Sequence, residues 1–382
     1  MTKILIFSIS FLFLTSCNQA QEKKENSSKG NRPETETNAV PNHLQWMDNK
    51  IDSMLTANNI PGFAIGVIED GKVSWASGYG EMERTAGVPF STESICQIAS
   101  LTKMFTGAIV KELINEGKLK PQEPITKYLD DVLDDDAKER FSEVTVEFVL
   151  HHRSGIPNHA PSVNRIDGDP MLIAYTQNDM DKDLNTIELE FEPNEKWAYS
   201  NYGYDILGYI CEKASGKSYD ALIKEYITDK YGLENTFINL IETKQKLVAT
   251  PYRKDDRTIK TKPWNMGKEV PSGGIYSNVD DLLKLMSVQI DHYRKYSENP
   301  SNSSLILTSN VAETGYDGLR YGYGLFKRKN RLDHFGDLDG YGSDYRLTPE
   351  YNVGIVCLTS SGGVWLDDLM DDIYLELLES KK

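Results

Sequence analysis

The chain has 382 residues, 39% hydrophobic and 26% charged, a balance that excludes a fibrous or wholly disordered protein and allows one large core or two joined lobes. With 58 acidic against 42 basic residues the formal charge is −16, and no Lys/Arg cluster of the kind phosphate backbones require is visible, so nucleic acid is excluded as a generic partner. An anionic membrane surface would repel the chain as well.

Lys3 precedes an apolar run from Ile4 to Leu14, followed by Leu14-Thr15-Ser16-Cys17. A charged start, a short apolar stretch and a small-residue cleavage site read as an export signal over residues 1–16, and the run is too short to span a bilayer comfortably. Its end at a cysteine resembles the lipobox of bacterial lipoproteins. That implies acylation at Cys17, a membrane partner through that lipid, and a place in the cell envelope (periplasm), with Asn18 favouring onward sorting to the outer membrane by analogy. A cleaved signal with an incidental cysteine is the alternative. Residues 17–42 are Gln, Glu, Lys, Ser, Asn, Thr and Pro with almost nothing apolar, so they read as a disordered tether. About 25 residues of flexible coil reach roughly 25–30 Å.

From Leu44 to Leu55 the apolar spacing Leu44, Met47, Ile51, Leu55 predicts a helix, closed by Pro61-Gly62. Phe63–Ile68 and Val73–Ala76 flank Asp70-Gly71 and predict a hairpin. Leu101–Leu119 is a second helical stretch, with Ser100 at its start. Helical patterns then dominate to about Val270 (Val144–Leu150, Tyr202–Ala214, Tyr219–Tyr231), and Asp280–Ile290 is another helix. Tyr321–Phe326, Tyr341–Leu347 and Val353–Leu358 read as strands, and Leu366–Leu378 as a terminal helix. The order predicts an α/β (α+β) fold: one antiparallel sheet built from both chain ends and flanked by helices, an all-helical lobe inserted between, and a site in the cleft. Cys96, Cys211 and Cys357 each sit in apolar stretches and read as buried small hydrophobes, with one disulfide pair left possible.

Ser100-Leu101-Thr102-Lys103 is the only Ser-x-x-Lys in the chain. On a helix, i and i+3 share a face, so the amine can approach a hydroxyl that is a weak nucleophile until a base takes its proton. Burial would lower the lysine pKa and free its lone pair, and a helix start supplies backbone N–H groups for an oxyanion. Tyr199-Ser200-Asn201 lies at the entry to a helix: a tyrosine can relay protons and an amide can orient substrate, or Asn201 is simply a helix cap. Tyr276-Ser277-Asn278 repeats those three residues where a cap is expected. His334-Phe335-Gly336 is the only His-x-Gly. There a small residue allows close substrate approach and the Asp337 N–H is a candidate oxyanion donor, the alternative being a Gly-rich turn with a solvated histidine. Lys230-Tyr231-Gly232 competes for this role but reads as a helix C-cap. His151, His152 and His159 fall close together without a cluster that completes a metal site, and the Asp130–Asp136 run lacks the glycine and terminal glutamate of a calcium loop; no metal and no organic cofactor is expected.

Taken together and in this order, these elements resemble the serine β-lactamase and penicillin-binding-protein superfamily, in particular its class C-like branch with D-aminopeptidases, D-carboxypeptidases and esterases. Pro61-Gly62-Phe63-Ala64, Leu150–Pro157, Trp197–Tyr204 and Pro271–Ser277 extend the resemblance over residues 43–382. It implies a sheet lobe of about 43–103 plus 271–382 and a helical lobe of about 104–270. It further implies that Ser100 is acylated, that Lys103 and Tyr199 shuttle its proton, that Asn201 orients the substrate, and that the N–H groups of Ser100 and Asp337 form an oxyanion hole. His334, Gly336 and Asp337 would complete the substrate-binding side. The third motif departs from the Lys-Thr-Gly or Lys-Ser-Gly pattern: a neutral histidine holds a carboxylate less strongly, and Phe335 offers no hydroxyl. The expectation is therefore hydrolysis of an ester or amide, a D-amino-acid peptide, small molecule or peptidoglycan-like substrate, through a covalent acyl-enzyme. A carboxypeptidase or weak β-lactamase ranks behind it, and an inactive cell-envelope binding protein is the alternative of another class.

Overall fold

The computed structural model describes residues 40–163, 174–307 and 311–381; the export signal, Cys17 and residues 18–39 of the tether lie outside the described residues. Val40 packs against buried side chains and Asn42–Leu44 forms a 3-10 turn, so residues just before 43 already take part in the packing.

The first predicted helix is α1 (Gln45–Ala57), burying Met47, Ile51 and Leu55. The hairpin is β1 (Gly62–Glu69) and β2 (Lys72–Gly80), with Asp70 and Gly71 both at positive φ (54° and 78°), as tight two-residue turns require. The short β3 (Cys96–Gln97) and a 3-10 turn (Ala99–Leu101) lead into α2 (Thr102–Asn115). The helical layer holds α3 (Asp135–Arg140), α4 (Val146–Leu150), α5 (Gln177–Thr186) and α6 (Asn201–Ser215). It continues through α7 (Tyr219–Ile223), a π turn over Lys224–Thr228, α8 (Asp229–Tyr231) and α9 (Val270–Gly273). The chain returns through β4 (Tyr276–Ser277), which pairs with β3, to α10 (Val279–Tyr296). Then come β5 (Ala312–Glu313), β6 (Leu319–Gly322), β7 (Leu325–Arg328), β8 (Arg331–Leu338), β9 (Tyr341–Thr348), β10 (Val353–Thr359) and α11 (Trp365–Glu379).

Among the described residues the main sheet has eight antiparallel strands in the order β2-β1-β10-β9-β8-β7-β6-β5. Two strands from the start of the chain are thus sewn to the last one, as expected of a sheet assembled from both ends. β1 and β10 are buried on both faces, which is why their sequences are continuous apolar runs rather than alternating ones. Phe63, Ile65, Val67, Val353, Ile355 and Cys357 face α1 and α11, whereas Ala64, Ile68, Val356 and Leu358 join the larger core beneath α2, α6 and α10. Cys96, Cys211 and Cys357 are buried and unbonded, so the disulfide left possible by the sequence is not formed. Among the described residues no helix is long and apolar enough to cross a membrane.

Two boundaries differ from expectation. Tyr321–Phe326 is not one strand but the join of β6 and β7, turning at Tyr323-Gly324. Gly324 has φ +83°, and a Cβ there would lie 2.2 Å from the Lys103 carbonyl group, so the turn packs directly on the start of α2. Asp280–Ile290 extends to Tyr296 because polar residues there continue the helix beyond its buried face. Asn278 caps that helix by accepting from Asp281 N–H, and Gly232 closes α8 in the left-handed region. The second Tyr-Ser-Asn and the Lys-x-Gly are therefore structural. Asp134 caps α3, while Asp130 and Asp131 pair with Lys138 and Lys213.

The outer layer is locked by Arg346 on β9, which is 2% exposed and meets Asp344 at 2.7 Å, Asp367 at 2.6 Å and also Asp371, the last two on α11. Removing one partner of a buried ion network leaves the others uncompensated, at about 3–5 kcal/mol. Arg346→Ala is expected to lower unfolding free energy by about that amount in urea titrations; a change below about 1 kcal/mol would show that the network does not hold α11.

Candidate active site

The local chain path fixes Ser100, the candidate nucleophile. β3 is clamped by β4, Gln97 exchanges two hydrogen bonds with the Trp264 backbone (2.8 and 2.7 Å), and Ile98 N–H donates to Ile275 O at 2.9 Å. Immediately afterwards Ala99 adopts φ +49°, a left-handed conformation that costs a non-glycine residue about 1 kcal/mol or more. This sharp turn delivers Ser100 to the head of α2 at the wall of a cavity of about 470 Å³, whose lining includes Asn201, Trp264, Glu269, Ser272 and Asp337.

One helical turn on, Lys103 is fully buried. Its Nζ donates to Asn201 Oδ1 at 2.7 Å and to the Ser272 carbonyl at 2.7 Å, and lies 3.4 Å from Ser100 Oγ. A neutral amine has two N–H bonds and one lone pair. The two short contacts use both hydrogens, which leaves the lone pair for Ser100. Burial lowers the Lys103 pKa to about 7, against an upward pull from Asp205. The amine also lies 4.9 Å from the Tyr199 ring centroid and 5.7 Å from that of Tyr204.

Burial pushes the Tyr199 phenol above its ordinary pKa, although its hydrogen bond with Ser100 acts in the opposite direction. Tyr199 is therefore a neutral phenol beside the nucleophile, suited to relaying a proton, while Lys103 is the group poised to accept one. The cap question at Asn201 has a clear outcome: the cap is Ser200, whose Oγ accepts from Gly203 N–H at 2.8 Å. That releases the Asn201 amide to bind Lys103 through Oδ1 and Asn158 Oδ1 through Nδ2 at 3.0 Å.

The third motif needs correction. His334 is neither solvated nor at the cavity wall as a substrate ligand: it is 2% exposed, with Nδ1–H donating to Phe335 O at 2.7 Å and Nε2 lying 3.5 Å from the Tyr321 hydroxyl. Burial and the neighbouring Lys103 hold its pKa down to about 3. Its ring sits 6.3 Å from that of Tyr199, so it supports the tyrosine from behind. Phe335 packs with the α1/α11 core on the other face of β8. Gly336 does mark a close approach: a Cβ would fall 2.3 Å from Ser343 Oγ and 2.4 Å from Ile98 O. This contact brings Asp337 to the same cavity as Ser100. The Asp337 carboxylate is engaged by Gly363 N–H (2.9 Å) and Lys254 Nζ (3.0 Å).

Several contributors had no distinct sequence signal. Ser272 acts through its carbonyl, which no residue type announces. His152, with φ +57°, accepts Ser200 N–H at Nδ1 (3.1 Å) and places its ring 4.4 Å from that of Tyr199. Its place in a histidine pair gives no sign of this buried neutral role, and burial holds its pKa well below the usual range. Arg253, Lys254, Asp255 and Asp339 line the outer cavity, with Arg253 paired to Asp255 at 2.9 Å.

A serine, a buried amine and a tyrosine, presented between an antiparallel sheet and a helical layer, place the architecture with the penicillin-binding-protein-like serine hydrolase superfamily. The family model described as Beta-lactamase matches residues 47–379, and the chain belongs to that family. It is 26% identical over 339 residues to "Protein flp" of Staphylococcus aureus (strain MW2), covering 88% of this chain and 67% of the relative. A "Beta-lactamase" of Pseudomonas fluorescens is 25% identical over 284 residues, covering 73% of each chain. Among solved structures, the octameric penicillin-binding protein homologue from Pyrococcus abyssi superposes with a TM-score of 0.76 at 27% identity, over 89% of this chain and 78% of that one.

Gly336→Ala tests the close approach of β8 to the nucleophile turn. Overpacking is expected to cost about 1–3 kcal/mol and to depress nucleophile reactivity by about tenfold or more as β8 moves off Ile98, a 1.4 kcal/mol effect on the barrier. Thermal melts and labelling rates of the variant check both, and unchanged reactivity would separate Gly336 from the site.

Proposed function

We propose that this protein is a serine hydrolase that cleaves an ester or amide through a covalent Ser100 acyl-enzyme. The observation that carries the reading is the Lys103 amine, buried, with two short donor contacts and its remaining valence directed to Ser100. Ser100 Oγ attacks the substrate carbonyl carbon as its proton passes to Lys103 Nζ, directly or across the Tyr199 hydroxyl. Collapse of the tetrahedral adduct breaks the bond to the leaving alcohol or amine, which takes that proton. Water then attacks the acyl-enzyme, releasing the acid and restoring the serine. The N–H groups of Ser100 and Asp337 are assigned to the oxyanion.

Esters and D-amino-acid peptides are the favoured substrates, a carboxypeptidase role comes next, and β-lactams rank last. The position that would carry a carboxylate-binding lysine holds a buried neutral histidine, and Phe335 faces the opposite core. The cations that do line the cavity, Arg253 and Lys254, already meet Asp255 and Asp337. A substrate carboxylate thus gains little here. The Cys17 lipid anchor belongs to the same proposal and rests on the export signal; intact mass of membrane-extracted full-length protein is expected to show cleavage before Cys17 and added acyl chains, and an unmodified Cys17 would remove it.

Intact mass spectrometry with a fluorophosphonate, and separately a penicillin, is expected to show one adduct that peptide mapping places on Ser100. Ser100→Ala is expected to abolish labelling and turnover of a chromogenic ester with little change in melting temperature. No adduct on folded protein would favour a binding protein instead. Because the neutral form of Lys103 is the base, kcat/KM is expected to rise with pH through about 7 as Lys103 loses its proton. A profile flat from pH 5 to 9 would remove Lys103 from that role.

A further inference from the structure

α6 meets Lys103 twice. Asn201 at its first turn accepts from the amine directly. One turn later Asp205, 2% exposed, accepts the Ser272 N–H at 3.0 Å, and the carbonyl of the same Ser272 accepts from Lys103 at 2.7 Å. Thr106, one turn beyond Lys103 on α2, donates to the neighbouring Pro271 carbonyl at 2.6 Å. α2, α6 and the α9 segment therefore close a ring of hydrogen bonds around the amine. A buried aspartate in the first turns of a helix is costly unless a positive group or several donors face it.

We propose that Asp205 is the positioning residue and counter-group for Lys103: it pins the Ser272 segment that receives the amine and offsets the positive charge formed when Lys103 takes the Ser100 proton. The inference rests on the acyl-transfer reading above. Tyr199, Tyr204, His152 and His334 also face Lys103, from the loop before α6, from α6, from the loop after α4 and from β8. Both histidines are held neutral by burial, and neither phenol supplies a negative charge, since burial raises both. Asp205 alone among these groups draws Lys103 toward its charged form. Burial, and then Glu269 at the cavity wall, hold the Asp205 carboxyl well above its ordinary range, whereas the Ser272 hydrogen bonds and a charge on Lys103 favour its ionised form, so the carboxylate is called up by the ammonium it faces. When the proton leaves Ser100 Oγ and reaches Nζ, the ammonium appears in a space closed to water, and the carboxylate takes the part solvent would otherwise play. The same charge then passes back as the leaving group collects the proton.

The test separates charge from shape. Asp205→Asn retains an acceptor for Ser272 N–H but no charge, whereas Asp205→Ala loses both. The Lys103 titration is followed by the 13Cε shift in 13C-lysine-labelled protein, with the resonance assigned by its loss in Lys103→Arg. Asp205→Asn is expected to move the Lys103 midpoint down by about half a pH unit or more, about a threefold change in the protonation equilibrium. The rising limb of kcat/KM is expected to move to lower pH with it. The high-pH plateau should fall because the base is weaker, and fall further in Asp205→Ala, where Ser272 is unpinned. An unmoved or raised midpoint in folded Asp205→Asn overturns the inference even if activity drops, since a purely structural role lowers the plateau without moving the limb. Should that variant not fold, Asp205→Ser carries the same midpoint test. Failure of the parent protein to form a Ser100 adduct would defeat the acyl-transfer reading, while the NMR midpoint would still decide whether Asp205 controls Lys103.

Discussion

Enclosing a lysine amine is the constraint on which the rest of this site depends. An ammonium with no access to water is expensive, and Lys103 is buried with no arginine-like fork of partners to compensate. The protein accepts a neutral amine instead, and apart from Asp205 the groups around it suit that choice: two carbonyl-type acceptors, two phenols held protonated and two histidines held uncharged. Such an enclosure only works if the walls do not move. The strained Ala99 turn, the Gly324 turn against α2 and the Gly336 crossing at Ile98 are each places where backbone, not side chain, closes the space.

The histidine of the altered third motif suits this dryness. A lysine at position 334 would put a second ammonium beside Lys103 in a low-dielectric space, where like charges interact far more strongly than in water. A neutral imidazole fills the position, supports Tyr199 and adds no charge. The consequence falls on the substrate: next to Ser100 the site offers hydrogen-bond geometry, while the cations Arg253 and Lys254 stand in the outer cavity, already paired.

The sequence made much of this visible because period and punctuation are local. The α1 stripe, the Asp70-Gly71 hairpin, the continuous apolar strands and the Ser-x-x-Lys helix start all follow from short-range rules. Lys103, Tyr199 and Asn201 could be paired across about a hundred residues only through their resemblance to a family pattern, and the structure brings these side chains to one point. What stayed hidden acts through backbone groups or distant burial. The Ser272 carbonyl has no residue signature, Asp205 looks like an ordinary polar helix residue, and whether a histidine is solvated or enclosed depends on what lies above it. The burial of His334 is invisible for that reason. Tyr321–Phe326 reads as one strand because its turn is aromatic-glycine rather than one of the usual polar pairs.

The sheet order has a kinetic consequence. β1 cannot be completed by its hairpin partner alone, because its other edge waits for β10, one face for α11 and the other for α10; Phe63 pairs with Thr359 and Ile68 with Gly354. Nearly the whole chain must therefore be available before the central ladder closes. Loop-closure entropy grows only slowly with length, but non-local pairing of this kind slows folding and leaves Phe63–Ile68, an apolar strand with open edges, unprotected in the meantime. A nascent chain stays open at its centre until β10 has been made, so anything that delays or trims that segment leaves the apolar β1 exposed.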